Sequence, residues 1–191
     1  KVVWQFLRAF RQLHFIGPCI TVFGSARFGQ NHPYYKLGVK IGSLISKMGF
    51  NTITGGGPGI MEAANKGSFE NDGYSIGCTI KLPEEQMDNN YLHKSIPFNF
   101  FFLRKLMLLK YSYAFIVLPG GYGTLDELFE TLTLIQTGVL HNFPIVIMDK
   151  NYYKQVEYLI EEMIESETIS LKDKNLVLFT NEIQEAEKHI N

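Results

Sequence analysis

The sequence predicts an α/β protein with a single doubly wound, mainly parallel sheet flanked by helices. Short apolar runs of strand length alternate with longer segments whose apolar residues recur at helical spacing, as in repeated β-α-β units. Two of the runs end in glycine-rich segments that lead directly into a helix. Because ligands of doubly wound sheets bind beyond the carboxyl ends of the strands, these two segments are expected to converge on one site.

The predicted elements follow one another without a linker, a repeat or a low-complexity segment. Strands are expected at residues 19–24, 51–54, 74–80, 114–118, 144–148 and 176–179, with a short extended segment at 94–98. Helices are expected at residues 3–14, 32–48, 58–67, 100–111, 128–135, 152–165 and 182–189. Gly17 and Pro18 end the first helix, Pro33 begins the second and Gly49 ends it.

The length of 191 residues is right for one well-filled domain and short for two. We therefore expect one Rossmann-like nucleotide-binding domain over residues 1–191, with residues 1–16 as an N-terminal helix packing on it. A formal net charge of -1 argues against a non-specific nucleic-acid binder. Cys19 and Cys78 lie in strand-like runs and are expected to be buried thiols in a reducing compartment, hence a cytoplasmic location. No apolar run reaches membrane-spanning length and no signal peptide is visible, so no membrane partner is expected.

A glycine-rich segment follows the apolar run at 114–118 and reads Pro119-Gly120-Gly121-Tyr122-Gly123-Thr124-Leu125-Asp126-Glu127. A strand, a glycine turn and a helix start present bare backbone N–H groups at the positive end of the helix dipole, where phosphate binds well. An acid repels phosphate, so Glu127 is expected to act on another part of the ligand. Such turns also occur as purely structural features, and this motif alone leaves both interpretations open.

A second glycine-rich turn, Gly55-Gly56-Gly57-Pro58-Gly59, follows the strand predicted at 51–54. Ile60 stands where the dinucleotide fingerprint needs its third glycine, and neither turn is followed by Gly-Lys-Ser/Thr. A nicotinamide dehydrogenase or a P-loop NTPase is therefore not expected. Arg104 and Lys105 interrupt the apolar helix that precedes the main glycine-rich segment; they either snorkel to its edge or meet an anion, and we favour the anion.

Three features together resemble the LONELY GUY (LOG) family, long described as possible lysine decarboxylases. They are Gly24-Ser25-Ala26-Arg27, the segment from Gly55 to Glu62, and Arg104-Lys105 upstream of the segment from Pro119 to Glu127. The resemblance runs over residues 17–153, and within the family the sequence is similar to the longer bacterial branch. It implies a cytokinin riboside 5′-monophosphate phosphoribohydrolase, which releases adenine or an N6-substituted adenine from the nucleoside monophosphate and leaves ribose 5-phosphate.

By this resemblance, Arg104 and Glu127 match the catalytic residues of the family. The expected substrate-binding residues, by resemblance or by their place at strand carboxyl ends, are Ser25, Gly56, Gly57, Glu85, Lys105, Gly120, Gly121, Tyr122, Gly123, Thr124 and Thr133. Asp126 stands where many members of the family have glutamate. Nothing resembles a pyridoxal phosphate site, and no cofactor is expected. No metal site is expected either, because the five histidines are scattered.

The chemistry of these residue types agrees with that implication. N-glycosidic cleavage passes through an oxocarbenium-like sugar, which a carboxylate can stabilise while it orients or deprotonates water. Two alternatives stay open: a non-catalytic carrier of nucleotide or molybdenum cofactor on the same scaffold, and a nucleotide-sensing regulator. The apolar helix at 100–109 suggests a subunit interface, and family members form dimers or larger assemblies, so at least a homodimer is expected.

Overall fold

The computed structural model describes residues 1–81 and 88–191, and these residues form a seven-stranded sheet in which every neighbouring pair is parallel. The strands are β1 (Cys19–Phe23), β2 (Asn51–Thr54), β3 (Ser75–Ile80), β4 (Lys94–Phe98), β5 (Ser112–Val117), β6 (Ile145–Met148) and β7 (Val177–Thr180). The helices are α1 (Val2–Leu13), α2 (Pro33–Lys47), α3 (Ile60–Phe69), α4 (Phe101–Lys110), α5 (Tyr122–Gln136), α6 (Lys154–Glu165) and α7 (Ile183–Ile190). The predicted doubly wound α/β class is confirmed.

The strand order is β4-β3-β2-β1-β5-β6-β7. The chain moves outward from β1 to β4 at one edge and then returns to the other side of β1 as β5. The order therefore reverses between β1 and β5, and the loops after these two strands diverge there to leave a crevice. All five residues of β1 are buried, as expected for a central parallel strand covered on both faces.

Helices cover both faces of the sheet. On one face, α1 and α4 contribute Ala9, Leu13 and Met107 to a cluster that contains residues of β1 to β5. On the other face, α2, α3 and α7 pack on β1, β5 and β6 through residues that include Ile41 and Ile60. No helix formed by the described residues is long and apolar enough to cross a bilayer.

Three details differ from the sequence-based expectation. The segment expected to be merely extended is a full strand, β4, whose five residues pair with β3; Pro97 is tolerated because β4 is an edge strand. Helix α5 begins at Tyr122, within the glycine-rich segment and ahead of the apolar residues 128–135 whose spacing predicts it, so Tyr122 to Thr124 form its first turn. A 3₁₀ helix at Leu171–Leu176, not predicted, is closed by a capping box between Ser170 and Asp173.

Candidate functional site

A cavity of about 730 Å³ lies at the carboxyl ends of the central strands, where the strand order reverses. Its wall includes residues 23–28 after β1, Gly55 after β2, and residues 121–125 with Glu127 after β5. Among the predicted site residues, those that line this cavity are Ser25, Arg104, Gly121, Tyr122, Gly123, Thr124 and Glu127. The structure thus brings both predicted catalytic residues and most of the main glycine-rich segment into one cavity.

The N-terminus of α5 faces this cavity without a capping side chain. Gly121 is the N-cap residue, and its carbonyl accepts hydrogen bonds from the N–H groups of Thr124 and Leu125 at 3.0 and 3.1 Å. The N–H groups of Tyr122 and Gly123 belong to the first turn and have no intrahelical acceptor. A Cβ atom added at Gly121 or Gly123 would have no neighbour within 4 Å. This arrangement leaves room and hydrogen-bond donors for an anion.

Ser25 joins the three segments that surround the cavity. Its N–H donates to the carbonyl of Pro119 at 3.0 Å, and its own carbonyl accepts from the N–H of Ile60 at 2.9 Å. The Ser25 hydroxyl accepts from the N–H of Arg27 at 3.1 Å, which turns the loop after β1. The loop after β1, the loop after β5 and the start of α3 are therefore held in one fixed arrangement.

The Arg104 side chain lies against two backbone segments, β3 at Cys78 and the turn after β2 at Gly55. Its Nε donates to the carbonyl of Cys78 at 2.7 Å, and a Cβ atom at Gly55 would lie only 2.1 Å from its Nη2. Burial lowers the pKa of Arg104 below its ordinary value, while the charge of Glu127 acts in the opposite direction. The guanidinium nevertheless stays protonated, because its ordinary pKa lies far above neutrality. Gly55 is thus required by the position of Arg104.

Glu127 is a buried carboxyl group with only 8% of the residue exposed. Burial raises its pKa to about 7, although Lys105 and Arg104 act to lower it. No hydrogen bond to its carboxylate is formed within residues 1–81 and 88–191, so the packing of these residues gives it no structural task. A desolvated carboxyl group that titrates near neutrality and borders a cavity is characteristic of an acid-base site.

Lys105 does not line the cavity. Its ammonium group lies 2.8 Å from Asp126 and 2.7 Å from Glu130, and these ion pairs tie α4 to α5. Burial lowers the pKa of Lys105, but the hydrogen bonds to Asp126 and Glu130 outweigh it and raise the pKa overall. The anions that Lys105 meets here are carboxylates of the protein, and its charge reaches Glu127 only through space.

Gly56, Gly57 and Gly120 lie behind the cavity wall rather than in it. The Asn89 side-chain amide donates to the carbonyls of Gly56 and Gly57, both at 3.1 Å, and to Oδ1 of Asn65 at 3.0 Å. A Cβ atom at Gly120 would lie 2.1 Å from the Thr124 hydroxyl. Substrate contact by these three glycines stays a prediction.

Two further predicted residues lie elsewhere. Thr133 is exposed on the later turns of α5, where its hydroxyl donates to the carbonyl of Phe129 at 2.8 Å. It borders a separate cavity of about 140 Å³ together with residues of α6. Glu85 lies outside the described residues. Substrate contact by Thr133 and Glu85 stays a prediction.

Sequence reasoning missed several residues around the cavity, and four of them have a clear part in it. Met61 and Phe101 add apolar wall, Tyr152 lines the cavity after β6, and Asn89 holds the glycine turn after β2. The sequence could have indicated Tyr152, because this residue follows the carboxyl end of a predicted parallel strand as Ser25 does. It could not have indicated Asn89, because the contacts of Asn89 depend on a fold that brings residues 56 and 89 together.

Comparison with known proteins identifies a family and several relatives that this chain resembles. A family model described as "possible lysine decarboxylase" matches residues 61–190. A cytokinin riboside 5′-monophosphate phosphoribohydrolase of Arabidopsis thaliana is 27% identical over 174 residues, covering 90% of this chain and 81% of its own length. A protein of the same name from Rhodococcoides fascians is 28% identical over 174 residues, covering 87% of this chain and 86% of its own length.

Solved structures with the same fold include proteins that bind molybdenum cofactor. The molybdenum cofactor binding protein of Rippkaea orientalis superposes with a TM-score of 0.62 at 23% identity, over 91% of this chain and 98% of its own. The molybdenum cofactor carrier protein of Chlamydomonas reinhardtii gives a TM-score of 0.64 at 22% identity, over 91% and 96% of the two chains. At such identity the likeness concerns the fold alone.

Proposed function

We propose that this chain, which belongs to the "possible lysine decarboxylase" or LONELY GUY family, hydrolyses the N-glycosidic bond of adenosine 5′-monophosphate or an N6-substituted form of it. The products are the free base and ribose 5-phosphate. The observation that carries this proposal is one cavity that joins an uncapped helix N-terminus to a buried carboxyl group without a hydrogen-bond partner among the described residues. The named activity of the relatives in Arabidopsis thaliana and Rhodococcoides fascians agrees with it.

The spacing along α5 suits a nucleoside monophosphate. The 5′-phosphate would accept hydrogen bonds from the N–H groups at the start of α5, those of Gly121, Tyr122 and Gly123, with the Thr124 hydroxyl beside them. Glu127 follows about one and a half turns later, and helical side chains tilt toward the N-terminus, so its carboxylate reaches back toward the phosphate site. The ribose would lie between the two groups.

Glu127 would perform the central chemistry as a carboxylate. When the bond between C1′ and the base nitrogen breaks, positive charge develops on the sugar, and a nearby carboxylate stabilises it. The same carboxylate can take a proton from the water whose oxygen forms the new bond to C1′. The electron pair of the broken bond leaves with the base, and the base takes up one proton, which balances the proton that Glu127 removes from the water. Arg104, being protonated, contributes positioning and electrostatic stabilisation rather than a proton.

Non-catalytic binding of a nucleotide or of molybdenum cofactor is the second candidate function, and the shared fold of the carrier proteins favours it. A carrier needs the anion site at α5 but not a desolvated carboxyl group beside it. Burial of Glu127 costs folding free energy that the described contacts do not repay, which favours the enzyme. Decarboxylation with pyridoxal phosphate is disfavoured, because no lysine is among the described residues that line the cavity.

The test is chromatography of the purified protein after incubation with AMP and with isopentenyladenosine monophosphate, beside a Glu127→Gln preparation. We expect free base from at least one substrate, and none above background from the variant. The ratio of the two rates ranks the substrates. Tight binding without release of base would instead support a carrier or a nucleotide-sensing regulator.

The proposal includes assembly into at least a homodimer. Phe101 and Phe102 of α4 are each 56% exposed, and Leu106 follows on the same helix with 44% exposed. Burying such an apolar stripe against a second copy removes it from water. Light scattering at micromolar concentration should give at least twice the chain mass, and a monomer would contradict this part of the proposal. A cytoplasmic location is also proposed, on the basis of the two free, buried cysteines.

A further inference from the structure

Two adjacent tyrosines hold the segment before α5 through hydrogen bonds to its backbone carbonyls. The Tyr152 hydroxyl donates to the carbonyl of Gly120 at 3.0 Å, and the Tyr153 hydroxyl donates to the carbonyl of Leu118 at 2.7 Å. Tyr153 is only 1% exposed and belongs to the core beside β5 and β6, whereas Tyr152 is 44% exposed and lines the cavity. The two phenols therefore make the same kind of bond in different surroundings.

The bond from Tyr152 matters because of the peptide unit that it holds. The Gly120 carbonyl and the Gly121 N–H belong to one planar trans peptide and point in opposite directions. Glycines on both sides give this peptide more freedom to rotate than any other residue pair would. A hydroxyl that fixes the Gly120 carbonyl on one side thereby fixes the Gly121 N–H on the other, at the entrance to α5.

Tyr152 is itself held in place by the loop after β6. Its N–H donates to Oδ1 of Asp149 at 3.0 Å, and the N–H of Asp149 donates to the carbonyl of Thr180 in β7 at 3.0 Å. Its ring also contacts the edge of Tyr34, with ring centroids 6.1 Å apart. These contacts restrain the Tyr152 side chain, so its hydroxyl keeps a fixed position relative to Gly120.

We propose that Tyr152 is a positioning residue, which orients the Gly120–Gly121 peptide so that its N–H group binds the phosphate of the substrate. The inference rests on the proposed function in that the anion is the 5′-phosphate of a nucleotide. It adds to that function a residue outside the glycine-rich segment that sets the affinity for phosphate without contacting the reacting bond.

The test is calorimetric titration of the wild type and Tyr152→Phe with ribose 5-phosphate, together with steady-state kinetics on AMP. The matched control is Tyr158→Phe, since Tyr158 in α6 is 48% exposed and its hydroxyl makes no hydrogen bond within the described residues. We expect the affinity for ribose 5-phosphate to fall about three- to tenfold in Tyr152→Phe, the loss that one neutral hydrogen bond brings. KM for AMP should rise by the same factor while kcat stays within about twofold.

Thermal unfolding separates positioning from a general structural effect, and the midpoint of Tyr152→Phe should lie within about 4 °C of that of the control variant, the shift that one lost hydrogen bond brings. Equal affinity for ribose 5-phosphate in the wild type and Tyr152→Phe overturns the inference, as does a wild type that binds no ribose 5-phosphate. An equal loss in Tyr158→Phe also overturns it. Failure of the proposed function has a different signature: ribose 5-phosphate binds and depends on Tyr152, but no base is released from AMP.

Discussion

The two glycine-rich turns resemble each other in sequence and differ in what surrounds them. The first turn, residues 55–59, connects β2 to α3, and the second turn, residues 120–123, connects β5 to α5. In the first turn the space beside the glycines is filled by the protein: Arg104 lies against Gly55, and the carbonyl of Ser25 lies against Gly59. In the second turn, the space beside Gly121 and Gly123 is open.

This difference shows that a strand-to-helix turn can need glycine for either of two reasons, close packing of the chain itself or room for a ligand. The first turn needs glycine because other parts of the chain pass close to its backbone. The second needs glycine at two positions for which no described residue supplies a reason, and both positions border the cavity. Under the proposed function, a ligand would supply the reason in the second case.

The largest effect on folding is expected at Gly59. Its φ of +70° favours glycine, and a Cβ atom would lie 2.4 Å from the carbonyl oxygen of Ser25. We expect Gly59→Ala to lower the free energy of unfolding by about 3 kcal/mol, as measured by urea denaturation. Gly29→Ala is the control, because a Cβ atom there has no neighbour within 4 Å. Equal free energies of unfolding for Gly59→Ala and Gly29→Ala would contradict the explanation that the first turn needs glycine because the chain packs against it.

Gly55→Ala should damage activity more than stability. The new methyl group meets the tip of Arg104, a side chain that can move, so the free energy of unfolding should fall by only about 1 kcal/mol. Displacing the guanidinium should slow the release of adenine from AMP about a hundredfold, which is the scale of one lost electrostatic contact in an active site. In an Arg104→Ala background the same substitution should cost nothing further, and an additive loss would contradict this explanation.

Gly123→Ala should show the opposite pattern to Gly59→Ala. Alanine is favoured over glycine in a helix, so the free energy of unfolding should stay constant or rise by about 0.5 kcal/mol. The added methyl group enters the space proposed for the phosphate, and KM for AMP should rise about tenfold. Denaturation and initial-rate kinetics on the same preparation give both quantities. An unchanged KM would show that the second turn does not hold the ligand.

A smaller and graded effect is expected from pH. Because burial raises the pKa of Glu127 to about 7, its carboxylate form is half populated near pH 7 and falls about tenfold for each unit below. The initial rate of adenine release at low AMP concentration, which follows kcat/KM, should fall by the same factor between pH 6 and pH 5. A rate independent of pH from 5 to 8 would exclude Glu127 as the base.

The raised pKa of Glu127 also makes the free energy of unfolding depend on pH. Between the ordinary pKa of 4.5 and the raised value, the folded protein binds this proton more tightly than the unfolded chain does. The resulting contribution to the free energy of unfolding is complete at low pH and is lost as the pH rises through 7. Glu127→Gln should therefore match the wild type near pH 4 and be more stable at pH 8, by about 3 kcal/mol. Denaturation at the two pH values measures the difference.

The sequence was sufficient for features that depend on local pattern. Alternating apolar runs predict the sheet, and the rule that parallel strands present their carboxyl ends at one edge predicts that Ser25 and the two glycine-rich turns share a cavity. The second turn was recognised as open to a ligand because its glycines are followed by a helix start. These inferences need only the order of the elements along the chain. The catalytic role of Arg104 and Glu127 came from the resemblance to the LONELY GUY family.

Features that depend on distant contacts could not be predicted in the same way. Snorkelling and binding to an external anion were both considered for Lys105, but its partners are Asp126 and Glu130, which only the packing of α4 on α5 brings near. The first turn was expected to bind the ligand like the second. Its contact with a ligand stays a prediction, and what the sequence did not indicate is that its carbonyls are held by Asn89, more than thirty residues later in the chain.

The most direct test compares the acids that follow the two turns. Glu62 follows the first turn and accepts a hydrogen bond from the Tyr35 hydroxyl at 2.7 Å, whereas the Glu127 carboxylate has no such partner among the described residues. The measurement is the single-turnover rate of adenine release from AMP in Glu127→Gln and Glu62→Gln, with AMP affinity determined by calorimetry. Glu127→Gln should bind AMP within about threefold of the wild type and release adenine about a thousandfold more slowly. Glu62→Gln should keep the wild-type rate, and adenine release at that rate by Glu127→Gln would contradict the proposed catalytic role.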